Sequence, residues 1–270
     1  MLPFGRLDRC ESGYADGHDV PGGIVFGHVK QRACQTTAMS NNGPCRAVGS
    51  GSSMIITIDG PAGAGKSSVA RRLAQELGYW FLDTGAMYRA VALAAIRREI
   101  DWSNAAAVAR LAGQLPLTLD DGRVLLGEED ITQAIRSAEV TASTRHVADN
   151  HQARKELVKL QRRLANGKNV VTEGRDQGTV AFPRADCKFF LTASPRRRAE
   201  RRVRERQAKG ENVTLQKVLD EQNRRDQEDE SRPVGRLVPA ADAMIVDTDR
   251  LDLEQVVEKL LHHVRERFEA

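Results

Sequence analysis

The 270-residue sequence has no apolar run near the roughly 20 residues that a membrane-spanning helix needs, and no apolar signal segment at its N-terminus. Its four cysteines, Cys10, Cys34, Cys45 and Cys187, do not have the paired spacing of a zinc site. The excess of Lys and Arg (41) over Asp and Glu (37) is only +4, too small to indicate nucleic-acid binding by itself. These absences predict a soluble, cytoplasmic protein with reduced thiols and no membrane or nucleic-acid partner.

Residues 1–53 also lack sustained apolar periodicity. They are rich in Gly, Asn and Ser, and they end in the linker-like stretch 47–53. Such a segment buries too little apolar surface to offset its ordering entropy. We therefore predict a disordered N-terminal extension. Because Met54 follows directly, a second hypothesis is that the natural start lies at Met54.

Residues 54–270 show regular alternation of apolar patterns. Strands are predicted at 55–58, 79–82, 170–173, 188–192 and 243–246, and helices at 67–77, 85–98, 139–165, from 194, at 215–230 and from 252. This alternation predicts an α/β fold with a parallel sheet flanked by helices. A β-hairpin is predicted from the short runs 116–119 and 123–126, which flank a Gly-containing turn. The last helix is predicted to bury Leu253, Val256, Val257, Leu260 and Leu261.

The first strand runs directly into a complete G-x-x-x-x-G-K-[ST] pattern. Glycines allow backbone N–H groups to surround a phosphate, and the following helix directs its positive end to the same place. Lys66 adds a charge for the β- and γ-phosphates, and the Ser67 hydroxyl is the predicted Mg²⁺ ligand. The residues predicted to bind a nucleoside triphosphate, here named the phosphate loop (residues 60–68), are Gly60, Pro61, Ala62, Gly63, Ala64, Gly65, Lys66, Ser67 and Ser68.

Three further groups of polar residues predict a second anion site. Residues 83–89 begin a helix and supply a hydroxyl, an aromatic ring and a guanidinium, while residues 173–176 follow a core strand at the edge where open α/β sheets bind ligands. On a later helix, the charged residues with near-helical spacing are Arg225, Asp226, Asp229 and Arg232.

Four motifs resemble a known family: DGPAGAGKS (59–67), LDTGAMYR (82–89), GRDQGTV (174–180) and LVPAADA (237–243). Together they are similar to the bacterial cytidylate kinases, within the nucleoside-monophosphate kinase group. The resemblance covers about residues 54–268, with matching order and spacing, and leaves residues 1–53 unexplained.

The resemblance implies a P-loop kinase core, a small monophosphate-binding insertion at about 113–150 and an arginine-rich helical lid over ATP at about 196–211. It implies Mg²⁺-assisted transfer of the ATP γ-phosphoryl group to CMP or dCMP by a monomeric transferase. By position, the implied acceptor-binding residues are Thr84, Tyr88, Arg89, Arg154, Arg175, Asp176, Arg225 and Asp229, with Arg154 and Asp176 at the cytosine edge. The implied catalytic residues are Lys66, Arg175, Arg225 and Arg232. Because the acceptor oxygen is already anionic, no general base is expected.

Two positions depart from the family pattern. Glu173 stands where the family usually has Asp, and Arg145 stands where it often has a serine beside the cytosine, with Ser143 and Thr144 next to it. The longer carboxylate of Glu173 can still reach Mg²⁺ through water. Discrimination of the base by a hydroxyl is left open, so UMP is a third candidate acceptor.

Other interpretations of the same residues stay open. The basic stretch 196–206 fits a lid, a solvated helix with Glu200–Arg204 and Arg201–Glu205 pairs, or a nucleic-acid patch. Tyr88 fits core packing as well as ligand contact. At the level of function, the alternatives are a P-loop kinase acting on another small acceptor and an NTP-switched protein that binds RNA.

Overall fold

The computed structural model describes residues 53–120, 122–208 and 210–268. Except for Ser53, the predicted N-terminal extension lies outside the described residues. The strands are β1 (Ile55–Asp59), β2 (Trp80–Asp83), β3 (Leu117–Asp120), β4 (Arg123–Leu126), β5 (Glu129–Asp130), β6 (Val170–Gly174), β7 (Cys187–Thr192) and β8 (Met244–Asp247). The helices are α1 (Lys66–Leu77), α2 (Thr84–Arg97), α3 (Ala105–Gln114), α4 (Ala138–Asp149), α5 (His151–Ala165), α6 (Pro195–Gln207), α7 (Leu215–Ser231) and α8 (Leu253–Phe268).

The predicted parallel sheet is confirmed. Its strand order is β2-β6-β1-β7-β8, and each neighbouring pair is parallel. β1 therefore lies at the centre, with the carboxyl ends of β6 and β7 on either side of its own. Loops that leave this edge come together, which is where parallel sheets with crossover helices place their ligands.

Helices cover both faces of the sheet because its central strands present buried side chains on both faces. On one face, Ile56 and Ile58 are fully buried in a core shared with Leu73 of α1 and Leu260 of α8. On the other face, Val170 joins a core built with residues of α2, α3 and α5. Burial on both faces explains the short β-branched runs from which these strands were predicted.

The predicted hairpin is also confirmed, as the antiparallel pair β3–β4. The short strand β5, which the sequence did not indicate, extends it to three strands. Arg123 of β4 pairs with Asp130 of β5 at 3.0 Å, and Arg97 at the end of α2 pairs with Glu129 at 2.7 Å. This small sheet thus connects to the core through α2.

The single helix predicted at 139–165 is wrong, because the chain breaks it at Asn150 into α4 and α5. Asn150 has an extended backbone (φ −79°, ψ 103°), and its side-chain oxygen accepts hydrogen bonds from the amides of Gln152 (3.1 Å) and Ala153 (3.0 Å). Its amide group also donates to the carbonyl of Ala105 at 2.8 Å. Asn150 is thus the N-cap of α5, a role that its type favours but that apolar periodicity does not reveal.

Two other differences concern alanine-rich and terminal segments. The helix α3, capped by the side chain of Asn104, has no counterpart among the predicted elements. In α8, Val256, Val257 and Leu260 are buried as predicted, but Leu253 is not, since 36% of it is exposed. Leu253 is the first residue of α8, directly after Asp252.

Within the part of the chain that the structure describes, no helix combines the length and the apolar character needed to cross a bilayer.

The contrast within α8 gives a stability test. We expect Leu260→Ala to lower the free energy of unfolding by about 2–5 kcal/mol, because it leaves a cavity in the core. Leu253→Ala makes the same chemical change at an exposed position and is expected to cost less than about 1 kcal/mol. Urea unfolding followed by circular dichroism measures both. Equal losses in the two variants would contradict this arrangement of α8.

Candidate active site

The phosphate loop connects β1 to α1 and has the backbone geometry that its glycines predict. Gly60 has φ 145°, and a Cβ there would collide with the carbonyl oxygen of Leu191 on β7. Gly65, at the N-cap of α1, has φ 90°, and no side chain in the described chain caps this helix. The first amides of α1 therefore remain directed at the loop, as anion binding requires.

Lys66 is the first residue of α1, and its ammonium group is turned back into the loop. It is 5% exposed and donates a hydrogen bond to the carbonyl of Pro61 at 2.7 Å. Burial, together with the positive charges of Arg175 and Arg225, lowers the pKa of Lys66 to about 7, although Glu173 opposes this shift. A bound polyanion would favour the charged form, so this lysine is suited to a phosphate ligand.

Ser67 and Glu173 meet beside the loop. The Ser67 hydroxyl donates to Oε1 of Glu173 at 2.9 Å, and burial raises the pKa of that carboxyl group. A hydroxyl and a carboxylate are oxygen ligands of the kind that Mg²⁺ binds together with water and phosphate. The described residues contain no group of three or more His, Cys, Asp or Glu able to hold a metal. The donor set thus fits an ion carried largely by phosphate oxygens.

Guanidinium groups that follow β6 and α7 meet at one carboxylate, that of Asp229. Nε of Arg175, just after β6, donates to Asp229 at 2.8 Å, and Arg232 pairs with the other oxygen of Asp229, also at 2.8 Å. The charges of these arginines lower the pKa of Asp229 despite its burial, which acts in the opposite direction. One carboxylate therefore holds two of the predicted site residues in place.

Arg225 lies in the same positive surroundings. Desolvation by the surrounding protein, followed by the charge of Arg175, lowers its pKa to about 10, even though the side chain keeps more than a third of its surface exposed. The charge of Arg89 adds to this repulsion, and the pKa of Arg89 is itself lowered, chiefly by burial. The region is a concentration of like charge that an anionic ligand would relieve.

The predicted base-reading residues form a buried ion pair. Arg154 of α5 pairs with Asp176, and both side chains are only 7% exposed. The guanidinium also donates to the carbonyl of Ala148 at 3.2 Å and lies 5.6 Å from the ring centre of Tyr88. Burial raises the pKa of Tyr88 to about 12, so the ring stays neutral. Gly235, which the sequence analysis missed, covers this pair so closely that a Cβ would collide with Arg154.

The start of α2 differs from its sequence interpretation. Asp83 caps the helix by accepting a hydrogen bond from the amide of Ala86 at 2.9 Å. The Thr84 hydroxyl donates to the carbonyl of Glu173 at 2.6 Å, and Thr84 is 3% exposed. The helix N-terminus is therefore less open to an anion than the sequence suggests, and Thr84 connects α2 to β6.

The ion pairs predicted within the basic helix α6 are wrong. Glu200 pairs with Arg196 at 3.2 Å and Arg197 at 3.4 Å, rather than with Arg204. Arg201 instead donates to the hydroxyl (3.0 Å) and carbonyl (2.5 Å) oxygens of Thr248. Spacing along a helix could not reveal that this side chain reaches the segment after β8.

Asp59, at the end of β1, has a role that the sequence analysis did not assign. Its carboxylate accepts hydrogen bonds from the amides of Gln177 (2.9 Å) and Gly178 (2.7 Å). Burial raises its pKa to about 6, although these two amides oppose the shift. Asp59 thereby fixes the turn that carries Arg175 and Asp176 relative to the phosphate loop. The sequence signal that could have indicated this role is the position of Asp59, a charged residue between an apolar strand and the phosphate loop.

Comparison with known proteins identifies the family of the chain. The family model described as cytidylate kinase matches residues 56–266. A cytidylate kinase of Rhodopirellula baltica is 49% identical over 217 residues, which cover 80% of this chain and 95% of the relative. A cytidylate kinase of Mycobacterium leprae is 46% identical over 218 residues, with 80% and 98% covered. One of Pelotomaculum thermopropionicum is 48% identical over 214 residues, with 77% and 95% covered.

These matches extend over nearly the whole of the described residues and include the phosphate loop, both strands beside it and the arginines of α7. The chain belongs to the cytidylate kinase family.

Proposed function

We propose that this chain is a nucleoside monophosphate kinase that transfers the γ-phosphoryl group of ATP to CMP, giving ADP and CDP, with dCMP as a second acceptor. Family membership supports this reaction. The observation that carries the proposal is the meeting of two cationic groups at the carboxyl edge of the sheet. Lys66 of the phosphate loop lies close enough to Arg175 and Arg225 for their charges to lower its pKa.

On the donor side, the phosphate loop (residues 60–68) would hold the phosphates of ATP through backbone amides and Lys66. Ser67 and Glu173 would hold Mg²⁺, the carboxylate acting through water. When bound, the ion neutralises charge on the β- and γ-phosphates. The residues of this chain supply the remaining positive charge and the alignment.

On the acceptor side, Arg154 and Asp176 would read the cytosine edge, and Arg175 would hold the monophosphate. Arg225 and Asp229 would contact the sugar or phosphates, and Arg232 the transferring group. The remaining expected contacts of the acceptor are Thr84, Tyr88 and Arg89. The Thr84 hydroxyl already donates a hydrogen bond to the backbone carbonyl of Glu173. While this contact lasts, the hydroxyl can only accept a hydrogen bond from the bound nucleotide.

The chemistry proposed here needs no general base. The attacking atom is an oxygen of the CMP phosphate, which is already anionic, so placement and charge neutralisation carry the reaction. The nearby carboxylates have other tasks that support this view: Asp59 accepts two backbone amides, and Glu173 accepts the Ser67 hydroxyl. Planar guanidinium groups are suited to the equatorial oxygens of a phosphoryl group in transfer.

Asp176 supports a preference for cytosine. Its carboxylate can accept a hydrogen bond from the exocyclic amine of cytosine, whereas uracil would present an oxygen to it. The hydroxyl of Thr144 donates a hydrogen bond to the carbonyl of Val140 at 2.7 Å, and Arg145 is exposed on α4. We therefore assign base choice to Asp176 and Arg154, and expect UMP to be a poor acceptor.

The division of the chain fits this function but stays a prediction. The expected insertion (residues 113–150) contains β3, β4, β5 and α4, and the expected lid (residues 196–211) contains most of α6. A monomeric state and a cytoplasmic location likewise remain predictions. So does the role of residues 1–52.

The first prediction concerns Arg225. Because this side chain is exposed and surrounded by like charge, Arg225→Met is expected to leave the fold intact and to lower kcat with CMP by on the order of 10³-fold. Arg224→Met, its exposed neighbour on α7, is the matched control and should retain the wild-type rate. A coupled ADP-release assay measures both, and the proposal fails if wild-type protein with Mg²⁺ and ATP phosphorylates neither CMP nor dCMP.

An RNA-binding protein would instead show RNA affinity that falls steeply with salt.

The second prediction concerns the base. Asp176→Asn removes the charge that pairs with Arg154 and accepts the cytosine amine, so kcat/KM for CMP should fall about 10- to 100-fold. The ratio of CMP to UMP activity should fall with it, while KM for ATP changes little. Equal rates on AMP and CMP in the wild-type protein would contradict the assignment of Arg154 and Asp176 to the cytosine edge.

The third prediction concerns pH. In the free protein Lys66 loses its proton near pH 7, since its pKa is lowered to about 7. ATP binds better to the charged form, so ATP binding should take up protons above pH 7, and Kd should rise by up to about tenfold per pH unit. Calorimetry in buffers of different ionisation enthalpy measures the uptake. A Kd that stays constant from pH 7 to pH 9 would show that Lys66 is already charged in the free protein.

A further inference from the structure

Arg198, near the start of α6, is a buried arginine without a role in the site described so far. It is 4% exposed. Its Nε donates to the carbonyl of Ala193 at 3.0 Å, and one terminal nitrogen donates to the carbonyl of Ala62 at 3.0 Å and lies 2.6 Å from Asp226 of α7. A single guanidinium group therefore connects α6, α7 and the phosphate loop.

The carbonyl of Ala62 receives a second donor. Nε2 of Gln222, on α7 and 7% exposed, lies 3.4 Å from the same oxygen. Burying a guanidinium and an amide is unfavourable unless their polar atoms are bonded. Two buried side chains on different helices thus direct their donors to one backbone oxygen of the phosphate loop.

The hydrogen bonds to the Ala62 carbonyl also fix the orientation of the Gly63 amide. The carbonyl of Ala62 and the amide of Gly63 belong to one planar trans peptide, so they point in opposite directions. Gly63 has φ 80°, and a Cβ there would lie 3.1 Å from Cβ of Arg198, so α6 packs directly on this peptide. With the carbonyl held outward by α6 and α7, the Gly63 amide is held toward the side of the loop facing away from these helices.

We propose that Arg198 and Gln222 are positioning residues for the phosphate loop. They preorganise the peptide between Ala62 and Gly63 for a phosphate and fix the distance between this loop and α7, which carries Arg225 and Asp229. The inference rests on the proposed function, in which the loop binds ATP. Neither residue touches the reacting atoms, so the effect should appear in the affinity for ATP and in kcat more than in the affinity for CMP.

Two variants of graded severity test this inference. Arg198→Lys keeps a cation beside Asp226 but cannot reach the other acceptors at once, and it is expected to raise the Kd for ATP about 10- to 100-fold. Gln222→Met keeps the volume and loses one donor, and it is expected to raise this Kd about 3- to 10-fold. The Kd for CMP should change less than about twofold in both. Calorimetric titrations with ATP and with CMP measure the split.

Lys188 provides a control for the disruption of buried polar hydrogen bonds away from the phosphate loop. It donates to the carbonyl of Pro183 (2.6 Å) and to Asp242 (2.9 Å), rather than to the phosphate loop. Lys188→Met should lower the melting temperature but leave the Kd for ATP within about twofold of wild type. A structural role for Arg198 alone would give the same pattern as Lys188→Met, and that result would overturn the proposal.

A failure of this inference can be distinguished from a failure of the proposed function. If Arg198→Lys does not fold, Gln222→Met decides: a Kd for ATP raised threefold or more supports the inference, and a smaller change overturns it. Because the measured quantity is ATP affinity, a wild-type protein that binds ATP but does not phosphorylate CMP would contradict the proposed function and still permit this test.

Discussion

The structure depends on holding several positive charges close together beside the phosphate loop. Burial lowers the pKa values of Lys66 and Arg225, and repulsion from the charge of Arg175 lowers both further. Asp229 and Glu173 only partly offset this repulsion. Such an arrangement persists only if the surrounding fold is stable enough to impose it, and it is useful only if an anionic ligand relieves it.

The fold imposes this arrangement through hydrogen bonds between elements that are distant in sequence. Asp59 at the end of β1 accepts two amides of the turn after β6, and the Thr84 hydroxyl joins α2 to the same strand. Arg198 extends the connection to α6 and α7. Because most of these bonds have a backbone amide or carbonyl as one partner, they fix the main-chain segments that carry the cationic side chains. This is the preorganisation that phosphoryl transfer requires.

The sequence predicts those parts of this arrangement in which local pattern and function coincide. The strand, glycines and lysine of the phosphate loop lie within 14 residues, and their geometry is as expected. The Arg154–Asp176 contact was reachable only through the family resemblance, since 22 residues separate its members. The break at Asn150 and the contact of Arg201 with Thr248 were missed, because capping and long-range hydrogen bonds have no apolar period. Arg198 could not be separated from its arginine neighbours by spacing alone.

The C-terminal end of α4 contacts two arginines with proposed roles, Arg154 at the base and Arg232 at the transferring group. The carbonyl of Ala148 accepts a hydrogen bond from Arg154, while the adjacent carboxylate of Asp149 accepts one from Arg232 at 2.8 Å. Arg232 also pairs with Asp229, which holds Arg175. If Arg154 binds the cytosine edge as proposed, any shift of its guanidinium would act on a backbone segment that also supports Arg232. In the proposed function, the residues assigned to the base and those assigned to the phosphates thus share one supporting turn of α4.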